Sequence, residues 1–528
     1  MASMKNIFSK FTNFIYNNKG VLLLIIILIS LTIPLRFTNL GYSDYHGDEF
    51  KSFLSLSPGE NIWNFLLSQR KGPIQFLVSY IPYLFTHDFK NQFAQRFPFS
   101  LASCLSAIFF FLFVMNLTKS KAMAFFASLF YITNGFISGF GRISQYQNLN
   151  LLFSFTSLWL YSHLAKYPLS DKRSVKYILL GTVFWCLSVL SHWDAVLIAP
   201  IVIYFIVKSF ILSGKEKIQG IKKLLLCVVL GMTLVLPFFI PYVARFKEIQ
   251  KNQDYASRRI GVDIGYSKIP LYKSLTELYN PFLTILLLVG AGLIGVLNIK
   301  KSLPVLIWLT VVFVFFESFV RNPGTHFYNF LLPLIILAGI GVGTLFNLHN
   351  IVRYLLLIPI LGAFTFLYCQ TYILFIDHNK EYPFEYKTVL KIPYEKAKGG
   401  YLVNLVAPGI LEPKPDYMRG SYIPLFGFPH KRFWSEINDF VNSQNSTLNE
   451  ELKYITNEDK SISDRYMDTR YGLEGGFYAV GIKRPMNFVM DYKITNYASK
   501  KLVHTIDLNG ETVVFIYKAK DPLVKQPK

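Results

Sequence analysis

The chain has 528 residues, of which 52% are hydrophobic and 17% aromatic but only 16% charged, a balance that excludes an ordinary water-soluble domain and fits a protein whose solvent is a bilayer. The formal net charge of +22 does not point to nucleic acid, because the lysines and arginines gather in short loops between apolar runs and form no continuous basic face. The four cysteines, Cys104, Cys186, Cys227 and Cys369, lie far apart inside apolar runs without CxxC spacing, which argues against a disulfide framework and a cysteine zinc site.

In chain order, the first apolar run is VLLLIIILISLTIPL. It follows MASMKNIFSKFTNFIYNNKG and ends without a small-residue cleavage site, so it reads as a retained anchor rather than a removed signal peptide. A helix of about 20 apolar residues crosses the hydrocarbon core. On that criterion the spans are 20–37, 97–117, 122–140, 148–165, 177–192, 195–212, 224–243, 281–298, 303–320, 327–347 and 353–375, about eleven in all. The run KGPIQFLVSYIPYLF at 71–85 is predicted to be a short re-entrant or interfacial helix. With that choice the N-terminus and the loops TKSK (118–121), KYPLSDKRSVK (166–176), SGKEKIQGIKK (213–223) and NIKK (298–301) share one lysine-rich side, which is the cytoplasmic one.

The other side then receives GYSDYHGDEF, Arg96, GRISQYQ (141–147), SHWD (191–194), FESFVRNPGTHFYN (316–329) and, after an odd number of crossings, the polar tail. The chain divides into an all-α polytopic membrane domain, 1–376, with outer loops at 38–96 and 245–280, and an extracytoplasmic α/β domain, 377–528. In the tail, KRFWSEINDFVNS has helical periodicity, while ELKYITNE, GFYAVGIK, KLVHTIDL and TVVFIYK read as strands. The last two are joined by Asn509-Gly510, a hairpin signal.

The candidate chemistry lies in the first outer loop, where Asp48 and Glu49 follow Tyr45 and His46. An apolar segment able to fold over the pair would desolvate it, and burial raises a carboxyl pKa toward the range of a general base. An ordinary solvated loop pair is the competing reading. The succession of a first span, an outer Asp-Glu followed by an aromatic, Lys71-Gly72-Pro73 opening an amphipathic segment, and Arg96-Phe97-Pro98 opening the next span resembles the GT-C membrane glycosyltransferases, protein O-mannosyltransferases and the lipid A aminoarabinose transferase family among them. The resemblance extends over 20–375 in the order and spacing of segments.

It implies a GT-C type fold and an inverting transfer of a sugar from a polyprenyl-phosphate carrier to a hydroxyl of a glycan, lipid or protein on the extracytoplasmic face. Asp48 is then the base, with Glu49 orienting it or the acceptor. A departing phosphate needs cations or N–H donors. The candidates are Lys71, Arg96, Arg142, Arg258, Arg259, Arg321 and His326, each of which competes with a plain snorkelling or loop role, and His46 and Tyr328 join them as substrate-binding candidates. His326 and Tyr328 open a span that resembles one in the family. Some relatives hold a metal with acids after the third span, where GRISQYQNLN offers none, so the expectation is an enzyme without metal or other cofactor. Asp194 in SHWDA either supplies the missing acid or caps a tight interfacial turn. A transporter or flippase is the alternative function, but its polar groups would gather at the midplane of broken helices rather than at span ends.

Overall fold

The computed structural model describes residues 2–259, 271, 279–321, 323–346, 348, 350–382, 385, 387–390, 426–448, 452–472, 476–485 and 501–519, without the side chains of 2–17, 251, 255, 256, 258 and 259. Each predicted span contains a helix. In order these are α1 (Ala2–Phe37), α5 (Gln92–Thr118), α6 (Lys121–Thr133), α8 (Tyr146–Ser162), α9 (Lys172–Ser191), α10 (Ala199–Leu212), α11 (Lys217–Glu248), α13 (Phe282–Leu297), α14 (Ile299–Phe319), α15 (Tyr328–Leu345) and α16 (Asn350–Phe375). Between them lie the shorter α2 (Gly47–Phe50), α3 (Ile62–Ser68), α4 (Pro73–Thr86), α7 (Gly135–Phe140) and α12 (Gln250–Arg259). Among the described residues, 8 helical stretches are long and apolar enough by themselves to cross a membrane, and α6 and α13 are shorter apolar helices. The protein is an integral multi-pass membrane protein, and length and composition alone carry 8 of the expected crossings.

Two departures have local causes. The span expected at 122–140 breaks at Asn134, whose Oδ1 accepts the N–H groups of Phe136 and Ile137 at 3.0 and 3.2 Å and so starts α7 afresh. The segment at 71–85 forms α4, whose 14 residues are about 21 Å long, short of the roughly 30 Å hydrocarbon core.

Helix α15 is buried on nearly all sides and forms the centre of the bundle. It meets α13 through small residues: a Cβ on Gly341 would stand 1.8 Å from the Ala291 carbonyl oxygen, so only glycine lets the two backbones approach this closely.

The tail holds α17 (Trp434–Leu448), α18 (Lys460–Ser463) and one sheet of β1 (Lys453–Thr456), β2 (Phe477–Ile482), β3 (Lys501–Leu508) and β4 (Glu511–Ala519) in the order β1-β2-β4-β3. The β1/β2 pair is parallel and the other two are antiparallel. Asn509 (φ 54°) and Gly510 (φ 81°) both take the left-handed conformation that a two-residue hairpin needs. The α/β tail packs on the first outer loop: Asp44 N–H donates to His430 O at 2.8 Å, Tyr45 N–H to the Tyr466 hydroxyl at 2.9 Å, and Arg432 N–H to the Asp44 carboxylate. Loop and tail therefore share one end of the bundle. At the other end Lys223 Nζ bonds the Leu169 carbonyl at 3.0 Å, joining two of the lysine-rich loops.

Candidate active site

The acidic loop turns on the one-turn helix α2. His46 and Glu49 cap it reciprocally: Asp48 N–H donates to His46 Nδ1 at 3.2 Å, and His46 N–H donates to Glu49 Oε2 at 2.8 Å. His46 Nδ1 is thus an acceptor, and burial pushes the ring pKa down, so the imidazole is neutral. Glu49 points inward and is wholly buried. Arg96 grips it through Nε and Nη2, both at 2.8 Å, and Ser144 N–H adds a bond of 3.0 Å. The remaining N–H groups of Arg96 go to the carbonyls of Leu40, Ser43 and Asp44 at 2.8–3.0 Å. All the guanidinium donors are spent inside the loop, which corrects the expectation that Arg96 holds phosphate. Glu49 and Arg96 set the position of the turn.

Asp48 lies on the outer side of that turn, its side chain 34% exposed. Lys51 Nζ reaches Oδ1 at 2.8 Å, and Oδ2 has no partner among the described residues. The expected rise in its pKa is corrected. Burial does push it up, but Lys51 and Lys71 together hold the carboxyl well below its ordinary range. Lys71 precedes α4, and its Nζ donates to Gln145 Oε1 at 3.1 Å. Burial, against the pull of Asp48, brings the Lys71 pKa down to about 8.

The motif after Lys71 has a packing reason. A Cβ on Gly72 would stand 1.9 Å from the Leu190 carbonyl oxygen at the end of α9, and Pro73 sets the first turn of α4. Gly72→Ala must therefore push Lys71 out of place. Its expected effect is a loss of activity on the order of 100-fold, the scale of an ångström's misplacement at a reacting group. Turnover per folded protein, with the melting temperature followed in parallel, checks this.

A second cluster adjoins Lys71. The Tyr146 ring lies 5.5 Å from Lys71 Nζ and stacks on His192 at 3.9 Å. Asp194, fully buried, accepts bonds at Oδ1 from Asn150 Nδ2 and His192 Nδ1, both 2.8 Å. At Oδ2 it accepts from His326 Nδ1 and the Tyr328 hydroxyl, both 2.9 Å, and from Asn329 Nδ2 at 3.2 Å. With His192 Nδ1 donating to Asp194 Oδ1, its 3.3 Å approach to Asp194 N is a close contact and not a second hydrogen bond, and the carboxylate faces inward.

Asp48, His46, Lys71, His326 and Tyr328 thus come together at one end of the bundle, with the Tyr146 ring between the two groups. Arg142 does not join them directly. It donates to the carbonyls of Leu35 and Thr38 at 3.2 and 2.7 Å, closing the end of α1, and burial pulls its pKa down to about 9. With Asp44, His46 and Phe428 it lines a small cleft between loop and tail. The side chains of Arg258 and Arg259 lie outside the described residues. Lys51, Tyr146 and Asn150 were not among the sequence candidates. Lys51 stands three residues after Asp48 and could have been read from that spacing, whereas nothing local marks Tyr146 or Asn150.

No protein-family model and no curated protein matches the chain. Among solved structures, ArnT from Cupriavidus metallidurans bound to undecaprenyl phosphate is similar over 94% of this chain and 98% of its own, with 13% identity and a TM-score of 0.53. The apo state of the same protein matches over 96% and 98%, with 11% identity and a TM-score of 0.48. The oligosaccharyltransferase AglB from Archaeoglobus fulgidus, in complex with an inhibitory peptide and a dolichol-phosphate, matches over 88% and 70%, with 10% identity and a TM-score of 0.43. On the first of these, the chain shares the fold of ArnT, a GT-C fold, over nearly its whole length.

Proposed function

We propose that the protein transfers a sugar from a polyprenyl-phosphate carrier to an acceptor hydroxyl, with inversion, at the extracytoplasmic end of the bundle. The observation that carries this reading is the pairing, at one bundle end, of a partly exposed carboxylate, one oxygen of which has no partner among the described residues, with a part-buried lysine. The fold shared with a protein that binds undecaprenyl phosphate supports it. The lysine-rich loops at the other end support the sidedness.

In this mechanism the acceptor oxygen attacks the anomeric carbon from the face opposite the phosphate. The new C–O bond forms as the bond to the phosphate oxygen breaks, and the hydroxyl proton passes to Asp48. The leaving polyprenyl phosphate keeps the bonding electrons, and Lys71 stabilises its charge. The depressed pKa of Asp48 keeps it ionised and ready to accept. A phosphate at Lys71 offsets one of the cations that depress it, so the carboxylate becomes a stronger base once the donor is bound.

The Lys71 ammonium is present below about pH 8 and lost above it. Undecaprenyl phosphate binding to the full-length protein is therefore expected to weaken as pH rises through that value and to take up a proton there. Lys71→Arg, always charged, should remove this alkaline limb, and Lys71→Met should abolish binding at every pH. Binding by Lys71→Met equal to that of the parent protein contradicts the assignment.

A further inference from the structure

The acid-poor segment GRISQYQNLN gave the expectation of a metal-free protein, but His192, Asp194 and His326 come from two other loops. Their ligand atoms all lie within 4.8 Å of one another, and the three residues are buried. We propose that His192 Nδ1, His326 Nδ1 and the Asp194 carboxylate bind a single transition-metal ion, Zn²⁺ by ligand type.

Imidazole donors favour zinc and its first-row neighbours over magnesium or calcium, which take oxygen ligands. Two atoms each about 2.1 Å from one tetrahedral ion stand about 3.4 Å apart. The two Nδ1 to carboxylate distances are 2.8 and 2.9 Å, so the imidazoles need to open by roughly half an ångström.

The surroundings are those of a supported site. Asn150 holds one oxygen of the carboxylate, and Tyr328 with Asn329 holds the other, as outer donors hold metal-bound carboxylates. Tyr146 fixes the His192 ring by stacking at 3.9 Å. Three protein ligands leave a fourth position for water or an anionic oxygen. Binding displaces any proton on the Nδ1 atoms into solvent and leaves Asp194 ionised. Without an ion, the same contacts serve as two N–H···O hydrogen bonds, and occupancy separates the two cases.

The full-length protein, purified in detergent and stripped with a chelator, is titrated with Zn²⁺ in competition with a chromophoric chelator. Bound metal is counted by mass spectrometry and the melting temperature followed in parallel. The expected result is a single tight equivalent that raises the melting temperature, lost in His192→Ala and His326→Ala, with Co²⁺ giving the visible bands of a four-coordinate site. His326→Gln, which keeps the size of the side chain, should fold and still lose the zinc-dependent shift. Tyr328→Phe, which removes one outer donor, should weaken binding by roughly 10- to 100-fold. His504→Ala, on strand β3, should bind as the parent does. No tight equivalent in the parent protein, or an equivalent retained in both histidine variants, overturns the proposal. The readout is occupancy rather than turnover, so it stands or falls apart from the transferase reading.

Discussion

Asp48→Asn is expected to lower turnover by about 10²- to 10⁴-fold, the range for loss of a general base, while undecaprenyl phosphate binding is kept or slightly tightened at acidic pH, where Lys71 stays charged without the pull of Asp48. The opposite signs follow from the geometry. Asparagine keeps the shape of the turn and still lets Asp48's backbone N–H bond His46, but it cannot take the acceptor proton. It also removes a negative charge beside Lys71, so an incoming phosphate meets less repulsion. Stability should hardly change, since the ion pair with Lys51 is exposed. Single-turnover kinetics beside equilibrium binding separates the two effects, and a fall in both together would mean that the loop has moved.

Arg96→Met should give the contrasting result. It leaves Glu49 charged and buried without its partner and strips donors from three loop carbonyls, which costs about 3–5 kcal/mol. A large fall in melting temperature is expected, with loss of turnover as a consequence of the displaced turn. Pairing it with Glu49→Leu should cost less than the sum of the two single changes, because neither charge is then stranded. Thermal unfolding of the four proteins in one detergent tests this. An Arg96→Met protein that melts with the parent would remove the pair's structural role.

The apolar helices were legible because hydrophobicity along some twenty residues is a local property, and Asn509-Gly510 announced its hairpin for the same reason. The position of Asp48 after the first span was equally readable. What was hidden is long-range pairing. A basic residue at the outer end of a span looks the same whether it will hold phosphate or a carboxylate, and Glu49 finds Arg96 across 47 positions. The Asp194 cluster is assembled across 132 and 134 positions, so neither His326 nor Tyr328 could be assigned to it from sequence. The depressed pKa of Asp48 was missed for another reason: the burial was foreseen, but two nearby lysines outweigh it. The α/β character of the tail was readable, yet its grip on the loop through Asp44, Tyr45, Arg432 and Tyr466 shows only in three dimensions.

The most direct test of the central claim is mass spectrometry of lipid-linked sugars from cells carrying the parent protein, the Asp48→Asn variant, or neither. The account predicts that one polyprenyl-phosphate sugar accumulates when the protein is absent, accumulates equally with Asp48→Asn, and returns to its low level with the parent. A lipid-linked sugar profile identical in all three would contradict it.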